Sequence, residues 1–119
     1  FDRLKNLDDK LRDKIEPYKI EDLPTHIKNA QLIVNTTPTN ILSNLPKWNI
    51  GPDCVGFDVV YRPREGTGFL EHFEPHNRIE GVQMLVYQAA PCFNLWFGEK
   101  PKIDEGLLDI LYKKMDENK

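Results

Sequence analysis

Long apolar runs are missing from this 119-residue sequence. The longest uninterrupted stretches cover only a few residues, which excludes the span of about 20 apolar residues that a transmembrane helix needs. Cysteine is scarce: Cys54 and Cys92 lie far apart in strongly apolar surroundings. That excludes a disulfide framework and a metal-ligand spacing, and leads us to expect buried, reduced thiols in a cytoplasmic protein. Basic excess is lacking as well. A formal net charge of −3 argues against nucleic acid as the main partner. No Gly-x-Gly-x-x-Gly loop occurs, no serine sits in a nucleophile-elbow context, and no Cys/His/Asp cluster has ligand spacing, so no metal is expected. His26, His72 and His76 stand in polar stretches and read as surface residues. Charged Phe1-Asp2-Arg3-Leu4-Lys5 has no secretory core behind it. Without an initiator methionine, the chain begins in what reads as the middle of an element, so a piece of a larger protein is expected.

What is present suits one globular unit: 39% apolar and 29% charged residues. Leu4, Leu7, Leu11 and Ile15 recur at helical spacing, predicting an amphipathic helix over 4–15 that Pro17 stops. Asp22 and Pro24 predict a capped short helix through about Asn29. The unalternating run Gln31–Asn35 suits a central strand covered on both faces, as in a parallel sheet. Residues 39–52 read as loop. Cys54–Tyr61 is a second strand candidate, Thr67 a cap for a short helix carrying Phe69, Leu70 and Phe73, and Ile79 the end of a third strand. Helices over 82–97 and 104–116 follow, the first stopped by Gly98, the second capped by Asp104. Helices interleaved with apolar strands predict an open α/β sheet, with ligands at the carboxyl ends of its strands.

Between Gly81 and Gly98 the run reads as a buried helix carrying one polar side chain, Gln88, among apolar neighbours. A buried amide without a partner costs about 1–3 kcal/mol, so Gln88 is expected to hold something.

Three segments resemble the C-terminal half of shikimate dehydrogenase. Gly81, Met84-Leu85-Val86, Gln88-Ala89-Ala90, Phe93 and Trp96-Phe97-Gly98 resemble the family's closing helix. Asn35-Thr36-Thr37-Pro38 is similar to its Asn-Ala/Thr-Thr-Pro turn, and Asp58-Val59-Val60-Tyr61-Arg62-Pro63 with Thr67 and Leu70 to its Asp-x-x-Tyr-x-Pro…Thr-x-x-Leu segment. The match spans about 29–119. Upstream, Arg3 corresponds to an arginine that faces the 2′-phosphate of NADP, although Asp2 stands where the family has asparagine and Leu4 where it has threonine. Gln83 replaces a second glycine common in the family.

The resemblance implies part of a Rossmann-like parallel sheet over 1–79 and closing helices over 80–119 that complete the cleft. It implies reversible reduction of 3-dehydroshikimate to shikimate with NADP, in aromatic amino-acid biosynthesis. In that frame Gln88 grips a substrate hydroxyl and Tyr61 lies beside the substrate. Val59 and Gly81 touch the nicotinamide, and Asn35, Thr36 and Thr37 line the cofactor groove. The catalytic lysine and aspartate and the glycine loop belong to a missing N-terminal segment or partner chain. Asp58 reads as a structural carboxylate at a strand end. Alternatives are a quinate/shikimate dehydrogenase using NAD, which Asp2 favours through a ribose hydroxyl, and a non-catalytic α/β module, with a homodimer as a further option.

Overall fold

Three parallel strands organise the computed structural model, which describes residues 8–38, 48–61 and 67–117. β1 (Leu32–Asn35), β2 (Val55–Asp58) and β3 (Arg78–Glu80) lie in the order β1-β2-β3. The register pairs Ile33 with Gly56, Asn35 with Asp58, and Asp58 with Glu80, so all three strands end at one level. Helices α1 (Asp9–Arg12) and α2 (Leu23–His26) precede the sheet, and α3 (Gly81–Phe97) and α4 (Glu105–Glu117) follow it. Single 3-10 turns at Ile20–Asp22, Ile27–Asn29, Phe69–His72 and Pro75–Asn77 make the remaining packing. The expected α/β class with a parallel sheet is observed.

Alternation along the strands sorts their side chains onto two faces. Ile33, Cys54 and Gly56 take the covered face, where the core gathers Ile27, Trp48, Cys54, Phe69 and Phe73. Trp48 stacks on His72 with ring centroids 4.3 Å apart and meets Phe69 and Phe73 edge-on. Its indole N–H is buried without a hydrogen-bond partner. Gly56 is obligatory here, because a Cβ at this position would fall on the Phe73 ring. On the other face Leu32, Val34 and Ile79 are exposed. β1 is therefore an edge strand among the described residues, covered on one face, and not the doubly covered central strand that its composition suggests. β2 takes the central place.

Other expectations shift too. Of the helix expected over 4–15, the described residues from 8 onward show α1, with Leu11 and Ile15 exposed; Leu4 and Leu7 lie outside the described residues. A single turn with no packed apolar face has little to extend it. Asp22 makes no side-chain cap, since its backbone already belongs to the preceding 3-10 turn, while Pro24 does sit in the first turn of α2. His72 is half-buried against Trp48 rather than a surface residue, and burial lowers its pKa, with Glu71 opposing.

α3 changes the most. It runs through Pro91, which leaves the Tyr87 carbonyl without its helical donor. Gly98 ends it in the left-handed conformation (φ 73°), donating its N–H to Asn94 at 2.9 Å. Only Gly81, Val82 and Val86 are buried; Trp96 is 73% exposed. Gln88 and Cys92 are exposed, contrary to expectation, and the Cys92 thiol donates to the Gln88 carbonyl at 3.8 Å. Beyond Val86 no residue of α3 is buried, and among the described residues α4 packs beside it across an apolar groove. The radius of gyration, 17.2 Å, exceeds the roughly 13.5 Å of a closed domain of this length.

Gly56→Ala is expected to destabilise the fold by about 1–3 kcal/mol through overpacking against Phe73. Adding Phe73→Leu should return part of that loss in urea unfolding, because the two sites share one volume. The His72 shift sets an acid limit. Above its ordinary value of 6.5 the ring is neutral in both states. As pH falls through 6.5 the unfolded chain takes the proton first, so stability drops until the lower folded value is passed. His72→Gln should flatten that slope in urea midpoints measured between pH 7 and 5.

Candidate functional site

The carboxyl ends of β1 and β2 meet at a buried polar cluster. Asn35, Asp58 and Thr67 are 3%, 1% and 2% exposed, though each carries a polar side chain. Alternation places Asn35 and Asp58 on the same face of paired strands, and the turn before Phe69–His72 brings Thr67 over them. Asn35 Nδ2 donates to Asp58 Oδ1 at 3.0 Å and to Thr67 Oγ1 at 3.1 Å. The Thr67 hydroxyl donates to Asp58 Oδ2 at 2.7 Å, and the Val60 N–H to Asp58 Oδ1 at 3.0 Å. On its other side Asn35 Oδ1 accepts from the Thr37 N–H at 3.0 Å and its hydroxyl at 2.6 Å. Both carboxylate oxygens are thus occupied, as a buried carboxylate requires. Asp58 holds the strand ends together and offers no oxygen for chemistry, in keeping with the structural role read from the sequence.

Beside this cluster α3 begins. A Cβ on Gly81 would fall on the Val59 carbonyl oxygen, with the Val59 carbon at 2.8 Å and the Asp58 oxygen at 3.0 Å. Only glycine lets the first turn of α3 approach the end of β2 so closely. Gly81 also borders a cavity of about 210 Å³ with Tyr61, Val60, Glu80 and Tyr112. Tyr61 is 42% exposed at its rim. On the far side of the cluster, Asn35, Thr36 and Thr37 line a groove of about 370 Å³ with Tyr18, Lys19 and Trp48. Thr36 is exposed there, whereas the Asn35 amide is spent on its neighbours.

Gln88 lies elsewhere. It lines an open apolar groove of about 740 Å³ between α3 and α4, with Leu85, Phe93, Trp96 and Leu111. It stands two helical turns beyond Gly81 on the same side of α3, about 10 Å along the axis. An exposed amide can be satisfied by water, so the argument from burial falls away; its place on the Gly81 side of the helix remains. Of the residues singled out from the sequence, Gly81, Val59 and Tyr61 come together, Asn35, Thr36 and Thr37 share the next groove, and Gln88 borders a third. Arg3 lies outside the described residues. Glu80 and Tyr112 escaped the sequence reading; the one signal for Tyr112 was that it is the only aromatic residue in α4.

The cluster predicts its own energetics. Thr67→Val keeps the shape but leaves Asp58 Oδ2 without a donor, an expected loss of about 2 kcal/mol. Asp58→Asn should cost a similar amount, because with its oxygen kept toward Asn35 and Val60 its NH2 group replaces Oδ2 and the Thr67 hydroxyl loses its acceptor. In urea unfolding the double variant should lose less than the sum of the two.

Residues 81–105, which open on this junction, match the family model described as the Shikimate 5'-dehydrogenase C-terminal domain. The chain is 39% identical over 97 residues to the shikimate dehydrogenase (NADP(+)) of Methanococcus maripaludis, covering 76% of this chain and 35% of that protein. It is 31% identical over 123 aligned residues to that of Sinorhizobium medicae, covering 98% and 43%, and 32% identical over 120 to that of Rhizobium meliloti, covering 97% and 42%. It spans less than half the length of these relatives. With three motifs meeting at the strand ends and relatives aligned along most of its length, the chain belongs to the shikimate dehydrogenase family.

Proposed function

We propose that the protein carrying these residues catalyses the reversible NADPH-dependent reduction of 3-dehydroshikimate to shikimate, a step of aromatic amino-acid biosynthesis in the cytoplasm. The observation that carries this reading is the junction of Val59 and Gly81 at the carboxyl end of a parallel sheet, where open α/β sheets bind ligands. The relatives' names specify the same substrate and NADP(+). Two free cysteines fit a reducing compartment, and no helix among the described residues is long and apolar enough to cross a membrane.

The residues fit the nicotinamide end of such a cofactor. Gly81 presents backbone without a side chain beside a cavity, and Val59 lies against it. NADPH, when bound, supplies the hydride that reduces the substrate carbonyl. Val59 and Gly81 touch the ring, Gly81 through its backbone, and Asn35, Thr36 and Thr37 border the groove for the remainder of the cofactor. Tyr61 stands at the rim toward the substrate. The Gln88 amide, able to donate and accept, holds a ring hydroxyl. Residues 1–79 then serve as part of the dinucleotide-binding domain and 80–119 as closing helices. The glycine loop and the lysine–aspartate pair come from the part of the protein beyond this chain, which fits a chain that covers 35–43% of its relatives.

In the full-length protein, NADPH oxidation should depend on 3-dehydroshikimate. Gln88→Ala should raise the KM for that substrate about tenfold, the worth of one hydrogen bond to a hydroxyl, and leave the KM for NADPH unchanged. Unchanged kcat/KM for 3-dehydroshikimate in this variant would remove Gln88 from the site. A preference for NADH and quinate would favour the alternative dehydrogenase.

A further inference from the structure

The cavity at the ends of β2 and β3 has a wall supplied by α4, through Tyr112 and Met115. The Tyr112 hydroxyl donates to Glu80 Oε2 at 2.5 Å, across 32 residues of sequence. A phenol bonded to a carboxylate is a charge-assisted pair, stronger than a neutral one. Glu80 occupies the N-cap position of α3 with extended backbone (φ −88°, ψ 148°), and its side chain makes no capping bond. Its carboxylate is committed to α4 instead of to its own helix.

The next residue is Gly81, which rests against the Val59 carbonyl. The β3–α3 junction is therefore bounded by the backbone of β2 and tethered through Glu80 to α4. The pairing of β3 with β2 fixes the strand side of this junction up to Glu80, and the Glu80–Tyr112 bond adds a hold from α4 where the chain turns into α3. We propose that Tyr112 is a positioning residue: through Glu80 it holds the β3–α3 junction so that Gly81 keeps its close contact with Val59 and its place at the cavity that receives the nicotinamide. This rests on the dehydrogenase reading of the site. It gives α4 a part in cofactor binding through the junction that it holds.

The test uses the full-length protein and the variants Tyr112→Phe, Glu80→Gln, Glu80→Ala and the double variant Tyr112→Phe/Glu80→Ala. Three quantities are read: amide hydrogen exchange over residues 78–84 without nucleotide, NADPH affinity by fluorescence titration, and steady-state kinetics. Tyr112→Phe should speed exchange at the junction about fivefold and weaken NADPH binding by a similar factor. Its KM for NADPH should rise by more than its KM for 3-dehydroshikimate, as expected when the loss falls on the cofactor side. Glu80→Gln keeps an acceptor for the phenol and should behave as wild type, Glu80→Ala should match Tyr112→Phe, and the double variant should be no worse than either. Unchanged exchange in Tyr112→Phe overturns the proposal, as does faster exchange with unaltered NADPH affinity, or a Glu80→Gln as impaired as Glu80→Ala. A wild-type protein that binds NADPH but does not reduce 3-dehydroshikimate would sink the dehydrogenase reading alone, since exchange and titration still report on the tether.

Discussion

A carboxylate buried to 1% exposure governs this structure. Asp58 ends the central strand, and removing it from water is tolerable only because an amide, a hydroxyl and a backbone N–H converge on its two oxygens. Those donors come from different places in the chain: Asn35 from the end of β1, Thr67 from the turn before the aromatic layer, and Val60 from the continuation of β2. Satisfying one side chain thus aligns two strand ends and the segment that carries Phe69 and Phe73 into the core. The geometry of the neighbouring grooves follows from that alignment.

The same cluster explains a division of labour at the strand ends. Asn35, which a sequence motif would mark as a ligand contact, spends its amide inside the protein, and its neighbours Thr36 and Thr37 face the groove. Asp58 is silent chemically for the same reason. Around the cavity beside the cluster stand Gly81, which has no side chain, and Tyr61 at the rim. The contact between Gly81 and the Val59 carbonyl provides one boundary, and the Glu80–Tyr112 bond ties the junction to α4.

Packing is lopsided. One sheet face carries the aromatic core, and the other leaves Leu32, Val34 and Ile79 in solvent. α3 repeats the pattern, with a buried first part and a second part whose aromatic residues are exposed beside an apolar groove. Exposed apolar surface on this scale is unusual for a closed domain, and the family relatives are more than twice as long as the stretch they share with this chain.

Much of this was legible in the residues themselves. Local rules placed Asn35 and Asp58 at strand ends, stopped α3 at Gly98 through its left-handed backbone, and capped α4 at Asp104, whose Oδ1 accepts from Leu107 at 3.1 Å. The motifs around Asn35, Asp58 and Gly81 carried the family, because close approach and buried bonding demand those residue types. Exposure was not legible. Hydropathy reports that the neighbours of Gln88 are apolar, but only tertiary structure decides whether anything covers them, and here no residue of α3 beyond Val86 is buried. The His72–Trp48 stack and the Glu80–Tyr112 bond escaped for a related reason: they join residues far apart in sequence, and no local spacing encodes them. The sequence by itself determined which backbone segments form elements and which residues must be glycine or carboxylate, since those are short-range steric and hydrogen-bonding demands. Which of those residues face a ligand, a neighbour or water was settled by the tertiary structure, since burial is a property of the assembled surface.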